Sequence, residues 1–260
     1  MVGFDTVKNS NMKVKLMIPN TSYFICFTVR SGSTLLSNLL DDTGIAGHPK
    51  EHFNHNNSPD NPQGDTILNY GEFVSQTIQD TTPNGVFGTK IGGGMLHDFI
   101  PRIQTIDSIA GKPLDAALNE LIPNLQYIWL TRRNKVRQAV SHWMAIQSGR
   151  WHSPDTISNP TPEYIFDAID HLVQELPIRE AVWGDYFSDY KITPHIVVYE
   201  DYIRDMEGTV SGILDYLNIE IPASFEMKAP KLKPTANALT EEWVQRYREE
   251  KQKNWWTKFW

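Results

Sequence analysis

A chain of 260 residues, 40% of them hydrophobic, is long enough to bury a sizeable α/β core. Its formal net charge of -7 argues against a general nucleic-acid binder, and its one cysteine, Cys26, excludes an intramolecular disulfide and a cysteine-built metal centre. No apolar run reaches the ~18 residues of a membrane span, and the first twenty residues show no basic start followed by a continuous apolar core, so the expectation is a cytoplasmic protein.

Residues 1–20 read as a lead-in, and a single domain is expected over 21–260. The first strand is expected over 23–28, in YFICFT, where a buried, inert thiol suits Cys26. A tight polar turn, VRSGS, follows, and then a helix over 33–42 that Thr43-Gly44 closes. Strand, glycine-bearing turn and helix are how α/β proteins build a phosphate site. Free N–H groups at the helix start point at the anion, and the helix dipole favours negative charge there. Arg30 adds a cation at that place, with Ser31, Gly32, Ser33 and Thr34 around it. The G-x-x-x-x-G-K-[ST] pattern is absent, so an ordinary Mg-nucleotide loop is not spelled out. Without a ligand, the same residues would be a plain connection capped by Ser31 or Ser33.

Residues 45–69, rich in Pro, Asn, His and Asp, read as a long loop of the kind that carries function. A helix is expected over 71–80 and a second strand over 85–91, followed by three glycines. Lys90, near the end of that strand, could set an ammonium against charge developing on a leaving group; a surface lysine is the alternative. The third strand, LQYIWLT over 125–131, has apolar residues on both faces, as a central parallel strand requires. Helices are then expected over 135–147, 162–186 with Pro177 inside, 208–217 and 240–253, the last behind a capping Thr240. A fourth strand is expected over 195–199 and a Lys/Pro-rich loop over 222–238. Strands alternating with helices imply an α/β fold, a parallel sheet flanked by helices.

Ligands of open α/β sheets bind beyond the carboxyl ends of the strands. Arg132 and Arg133 stand directly after strand three, and Ser141 lies two helical turns past Arg133. Arg30 and Arg133 are therefore expected to converge on one crevice. Basic residues at a helix start oppose its dipole, a cost that a bound anion would offset.

These residues resemble a family. The RSGST turn is similar to the 5′-phosphosulfate loop of sulfotransferases, Arg133 through Ser141 to their 3′-phosphate pair, and Tyr199-Glu200-Asp201-Tyr202 to their Y-E-D-L segment. More closely, RSGSTLL with GIAGHPKEHFN, TRRNKVRQAVSHW and PTANALTEEWVQRY resemble the bacterial trehalose 2-sulfotransferase family, from about 23 to about 247. The resemblance implies a nucleotide-kinase-like, P-loop-like sulfotransferase fold. It implies 3′-phosphoadenosine-5′-phosphosulfate (PAPS) as donor without a metal, a small-molecule or glycan acceptor, and favours a homodimer. Arg30, Ser31, Gly32, Ser33, Thr34, Arg133 and Ser141 would then bind the donor.

The family's general base falls on Glu51, in Gly47-His48-Pro49-Lys50-Glu51-His52-Phe53, with His52 and Phe53 beside it towards the acceptor. An acceptor hydroxyl must lose its proton, so a carboxylate within reach fits. His48 and His52 are rival bases. Glu51, Arg30 and Lys90 make up the expected catalytic set; Lys90 stands where classical sulfotransferases carry Lys-Thr-His, although no His follows here. His48, His52, His55 and Asp60 have spacings that zinc could use, but Pro49 opposes a helix there, and no metal is expected. Trp255, Trp256 and Trp260 suit core packing, a subunit contact or stacking on a ligand. An ATP-dependent kinase, with Asp201 as its Mg-binding carboxylate, and a non-catalytic nucleotide or glycan binder are the rival readings. The acceptor's identity is not legible.

Overall fold

The computed structural model describes residues 18–54, 69–82, 84–149, 151, 162–223 and 238–253. Most of the lead-in, His55, Asp60, PTAN of the late motif and Trp255, Trp256 and Trp260 lie outside the described residues.

Four strands form one parallel sheet in the order β2-β1-β3-β4. They are β1 (Thr21–Phe27), β2 (Val86–Gly92), β3 (Leu125–Thr131) and β4 (His195–Val198). β1 lies inside the sheet and is almost wholly buried, which its unbroken apolar run YFICF requires. Alternate β1 residues feed two cores. Phe24 and Cys26 join Phe87, Ile91 and Tyr127 beneath α2 (Tyr70–Thr81), α3 (Leu96–Gln104), α4 (Leu114–Leu121) and the later turns of α6 (Phe166–Asp189). Tyr23, Ile25 and Phe27 join Ile128 and Leu130 beneath α1 (Ser33–Asp42) and α8 (Met206–Tyr216). A third cluster knits α5 (Lys135–Ser148) to the first turns of α6 and to α9 (Ala238–Gln252). The parallel sheet flanked by helices is the α/β fold that the pattern implies.

Three expectations need correction. β4 stops at Val198, and Tyr199 opens a short helix, α7 (Tyr199–Tyr202), rather than ending the strand. Thr240 does not cap the last helix, which starts at Ala238; it is buried inside it, its hydroxyl 3.6 Å from the Met144 sulfur. α1 is capped by neither Ser31 nor Ser33: Gly32 holds the N-cap at φ 92, without a side-chain cap.

Candidate active site

The site is assembled at the carboxyl ends of β1, β2 and β3. The turn after β1 places Arg30 and Gly32 in left-handed backbone, at φ 61 and φ 92. A non-glycine residue there is strained by roughly 1–3 kcal/mol and persists only where its surroundings hold it. Here they do. The Arg30 carbonyl accepts from Arg132 Nη1 at 2.9 Å. Its guanidinium donates from Nε to Ser141 Oγ at 3.1 Å and from Nη1 to the Trp151 carbonyl at 2.9 Å. Burial lowers the Arg30 pKa. A side chain at Gly32 would meet the Tyr199 ring at 2.6 Å, so only glycine lets the turn lie against α7. Ser31 Oγ is fully buried in the turn, without a hydrogen-bond partner among the described residues. Ser33 is buried at the start of α1, and Thr34 follows one residue on.

The segment after α1 hangs on β2. Lys50 forms a bridge with Thr89; its carbonyl accepts from the Lys90 N–H at 2.8 Å and from Thr89 Oγ1 at 2.9 Å. Gly47, at φ 71, passes so close to the Val86 carbonyl that a side chain would collide with it. These backbone ties carry Glu51 to Lys90, Oε1 lying 3.1 Å from Nζ with side chains 20% and 5% exposed. Lys90 Nζ also reaches Thr34 Oγ1 at 3.5 Å, joining the pair to the first turn of α1. Asn54 donates to Glu51 Oε2 at 2.8 Å.

The histidines beside Glu51 are otherwise engaged. His48 Nδ1 pairs with Asp41 at 2.5 Å on an exposed face. The His52 ring stacks on Phe87, and its Nε2 donates to the His48 carbonyl at 2.8 Å. Phe53, expected beside the acceptor, is 1% exposed and stacks on Phe99 in the core. Among the described residues no group of three or more His, Cys, Asp or Glu is placed to hold a metal, and no helix is long and apolar enough to cross a membrane.

The two arginines after β3 diverge. Arg132 is buried, its guanidinium 4.3 Å from the Tyr199 ring centroid, and burial lowers its pKa. Arg133 is exposed and forks onto Asp201, at 2.8 Å from Nη1 and 2.5 Å from Nη2. The adjacent Glu200 accepts the backbone N–H groups of Arg133 and Asn134, both at 3.0 Å, while Asn134 caps α5. Arg133 and Ser141 are therefore not joined here: the Ser141 hydroxyl contacts Arg30. Asp201, the metal ligand of the kinase reading, pairs with Arg133 here.

Sequence reasoning missed Gln138 and His142. Gln138 is fully buried and donates to Thr28 Oγ1 at 3.0 Å and to the Val29 carbonyl at 2.8 Å, clamping the β1 turn. His142 lies edge-on to Trp151, its Nδ1 buried without a hydrogen-bond partner among the described residues. Burial first, then the charges of Arg179 and Arg30, lower its pKa to about 4, so it is neutral at pH 7. The available signal is a polar set at 138, 141 and 142 interrupting the apolar period of α5.

The turn after β1 carries an arginine and no Walker lysine, and a carboxylate–ammonium pair stands beside it. In the comparison with protein families, the description Stf0 sulphotransferase matches residues 22–250, and the chain belongs to that family. It is a sulfotransferase, similar to the trehalose 2-sulfotransferase of Mycobacterium tuberculosis, at 31% identity over 255 residues covering 88% of this chain and 94% of that one. It is also similar to the trehalose 2-sulfotransferase of Mycolicibacterium smegmatis, at 28% identity covering 90% and 97%. Among solved structures, a sulfotransferase domain from the curacin biosynthetic pathway aligns with a TM-score of 0.46 at 15% identity, covering 86% of this chain and 82% of that one.

Proposed function

We propose that this sulfotransferase moves a sulfuryl group from PAPS to a hydroxyl of a carbohydrate, with Glu51 as general base. The observation that carries the reading is the contact of Glu51 with Lys90 at 3.1 Å, one side chain away from Thr34 of the phosphate turn. Trehalose, which gives both relatives their name, is the first acceptor to try.

The residues present fit such a donor. The fully buried Ser31 hydroxyl and the uncapped start of α1 offer hydrogen bonds to an anion, and Arg30 stands beside them, held by its neighbours. Arg30, Ser31, Gly32, Ser33 and Thr34 would hold the 5′-phosphosulfate end, and Arg133 with Ser141 the 3′-phosphate. The donor supplies the sulfuryl group. Glu51 takes the proton of the attacking hydroxyl, and the Lys90 ammonium lies where it can stabilise negative charge. His52, one residue on, would border the acceptor side; Phe53 anchors the segment in the core against Phe99, and His52 stacks on Phe87.

Two measurements test the reading. Incubation with PAPS and a sugar panel should yield a product heavier by one SO₃ group, with trehalose among the acceptors. Adenosine 3′,5′-bisphosphate should stabilise the fold in EDTA by ~2.7 kcal/mol at 100 times its Kd, and Mg-ATP far less. Stabilisation by Mg-ATP alone would overturn the donor assignment in favour of a kinase.

A further inference from the structure

The two carboxylates after β4 are neighbours in sequence but differ in how they are held. Glu200 is anchored: both of its oxygens accept backbone N–H groups from the β3–α5 turn, and its side chain is 22% exposed. Asp201 is 56% exposed and bonds the Arg133 guanidinium, with Arg204 as a second cation acting on it; Glu200 Oε2 also lies 4.0 Å from Arg133 Nε. A guanidinium fork binds carboxylate and phosphate through the same two parallel hydrogen bonds. Asp201 thus occupies the geometry that a phosphate would take on Arg133.

We propose that Asp201 is an internal competitor for the 3′-phosphate, holding Arg133 when no nucleotide is bound and reclaiming it as the bisphosphate product leaves. The inference rests on the donor reading above. Donor and product carry the same 3′-phosphate, so a carboxylate that competes for Arg133 weakens both. For the product that is useful, because release often limits turnover. The exchange is cheap in both directions. An exposed ion pair contributes little net stability, and Arg204 still faces Asp201 after Arg133 has turned away. Glu200 cannot take this part, since moving it would strip two N–H groups at the start of α5.

The test is calorimetric titration of adenosine 3′,5′-bisphosphate and of adenosine 5′-monophosphate into the full chain and into Asp201→Asn, with Asp201→Ala in case Asn retains a bond to Arg133. The expected result is a bisphosphate affinity tighter by roughly two- to five-fold, the scale of an exposed ion pair, with monophosphate affinity unchanged. Stopped-flow displacement should show product leaving more slowly by the same factor. Bisphosphate binding that is unchanged or weaker in both variants, while the wild type still binds it, overturns the competitor and leaves the donor reading intact. A wild-type chain that binds no bisphosphate overturns both.

Discussion

Two ion pairs stand at the carboxyl edge of the sheet, and their difference lies in burial rather than in chemistry. Lys90 and Glu51 meet at 3.1 Å with side chains 5% and 20% exposed; Arg133 and Asp201 meet at 2.5 Å with side chains 58% and 56% exposed. The first pair is fixed by backbone: Lys90 belongs to β2, and the Glu51 segment is bonded to the same strand. The second joins residues just past the ends of neighbouring strands, at the rim. Coulomb attraction grows as water is excluded, so the inner pair is strong and little screened, and removing one partner strands the other. The outer pair is screened by salt and replaceable by another anion. On the function proposed above, the inner pair would serve the chemistry and the outer pair the exchange of nucleotide.

Breaking the inner pair should have the larger consequence. Glu51→Gln should lower kcat by ~10²–10⁴-fold, the usual share of a general base, and leave bisphosphate Kd almost unchanged. Single-turnover kinetics beside calorimetry check this, with His52→Ala as the control; a dead His52→Ala beside an active Glu51→Gln would move the base to the histidine.

Breaking the outer pair should act on binding. Arg133→Ala should weaken adenosine 3′,5′-bisphosphate by roughly 10- to 100-fold, the range for a charged hydrogen bond to phosphate, and the 5′-monophosphate much less. Equal losses for both nucleotides would detach Arg133 from the 3′-phosphate and blur the distinction between the two sides.

The sequence shows the inner and outer residue types more readily than their pairings. Helix α1 over 33–42 and strand β3 over 125–131 are legible to the residue, because apolar runs end there at glycine or charge. Helices α3 and α4 are not: Gly93 and Gly94 stand before α3 and Pro101 lies inside it, Pro113 stands before α4, and both residue types read as breakers. The RSGST turn, Glu51, Lys90 and Arg133 stand out as types in a pattern. That Arg132 is buried over Tyr199 while Arg133 faces solvent depends on how α7 packs, which neither residue announces. Ser141 is matched to Arg133 by spacing, yet the structure gives its hydroxyl to Arg30, because the β1 turn folds back onto α5.

The smallest expected effect sharpens the comparison through pH. His142 lies on α5 against Trp151, and burial followed by the charges of Arg179 and Arg30 takes its pKa from 6.5 down to about 4. The folded protein therefore holds this group neutral between those two values, while the unfolded chain takes up a proton. Its contribution to stability is complete above about pH 6.5 and is lost as pH falls towards about 4. Between about pH 7.5 and 5.5 the loss is ~1 kcal/mol, from ~1.4 kcal/mol for each pH unit crossed below the unfolded value, reduced for partial wetting. At ~2–4 °C per kcal/mol for a chain of this size, that is roughly 2–4 °C in Tm. His142→Gln keeps a neutral polar side chain and removes the titration, so its Tm should fall less than that of the wild type over this range. Differential scanning calorimetry at both pH values reads the difference. Parallel losses in the two proteins would show that burial and the charges of Arg179 and Arg30 do not hold His142 neutral in the fold.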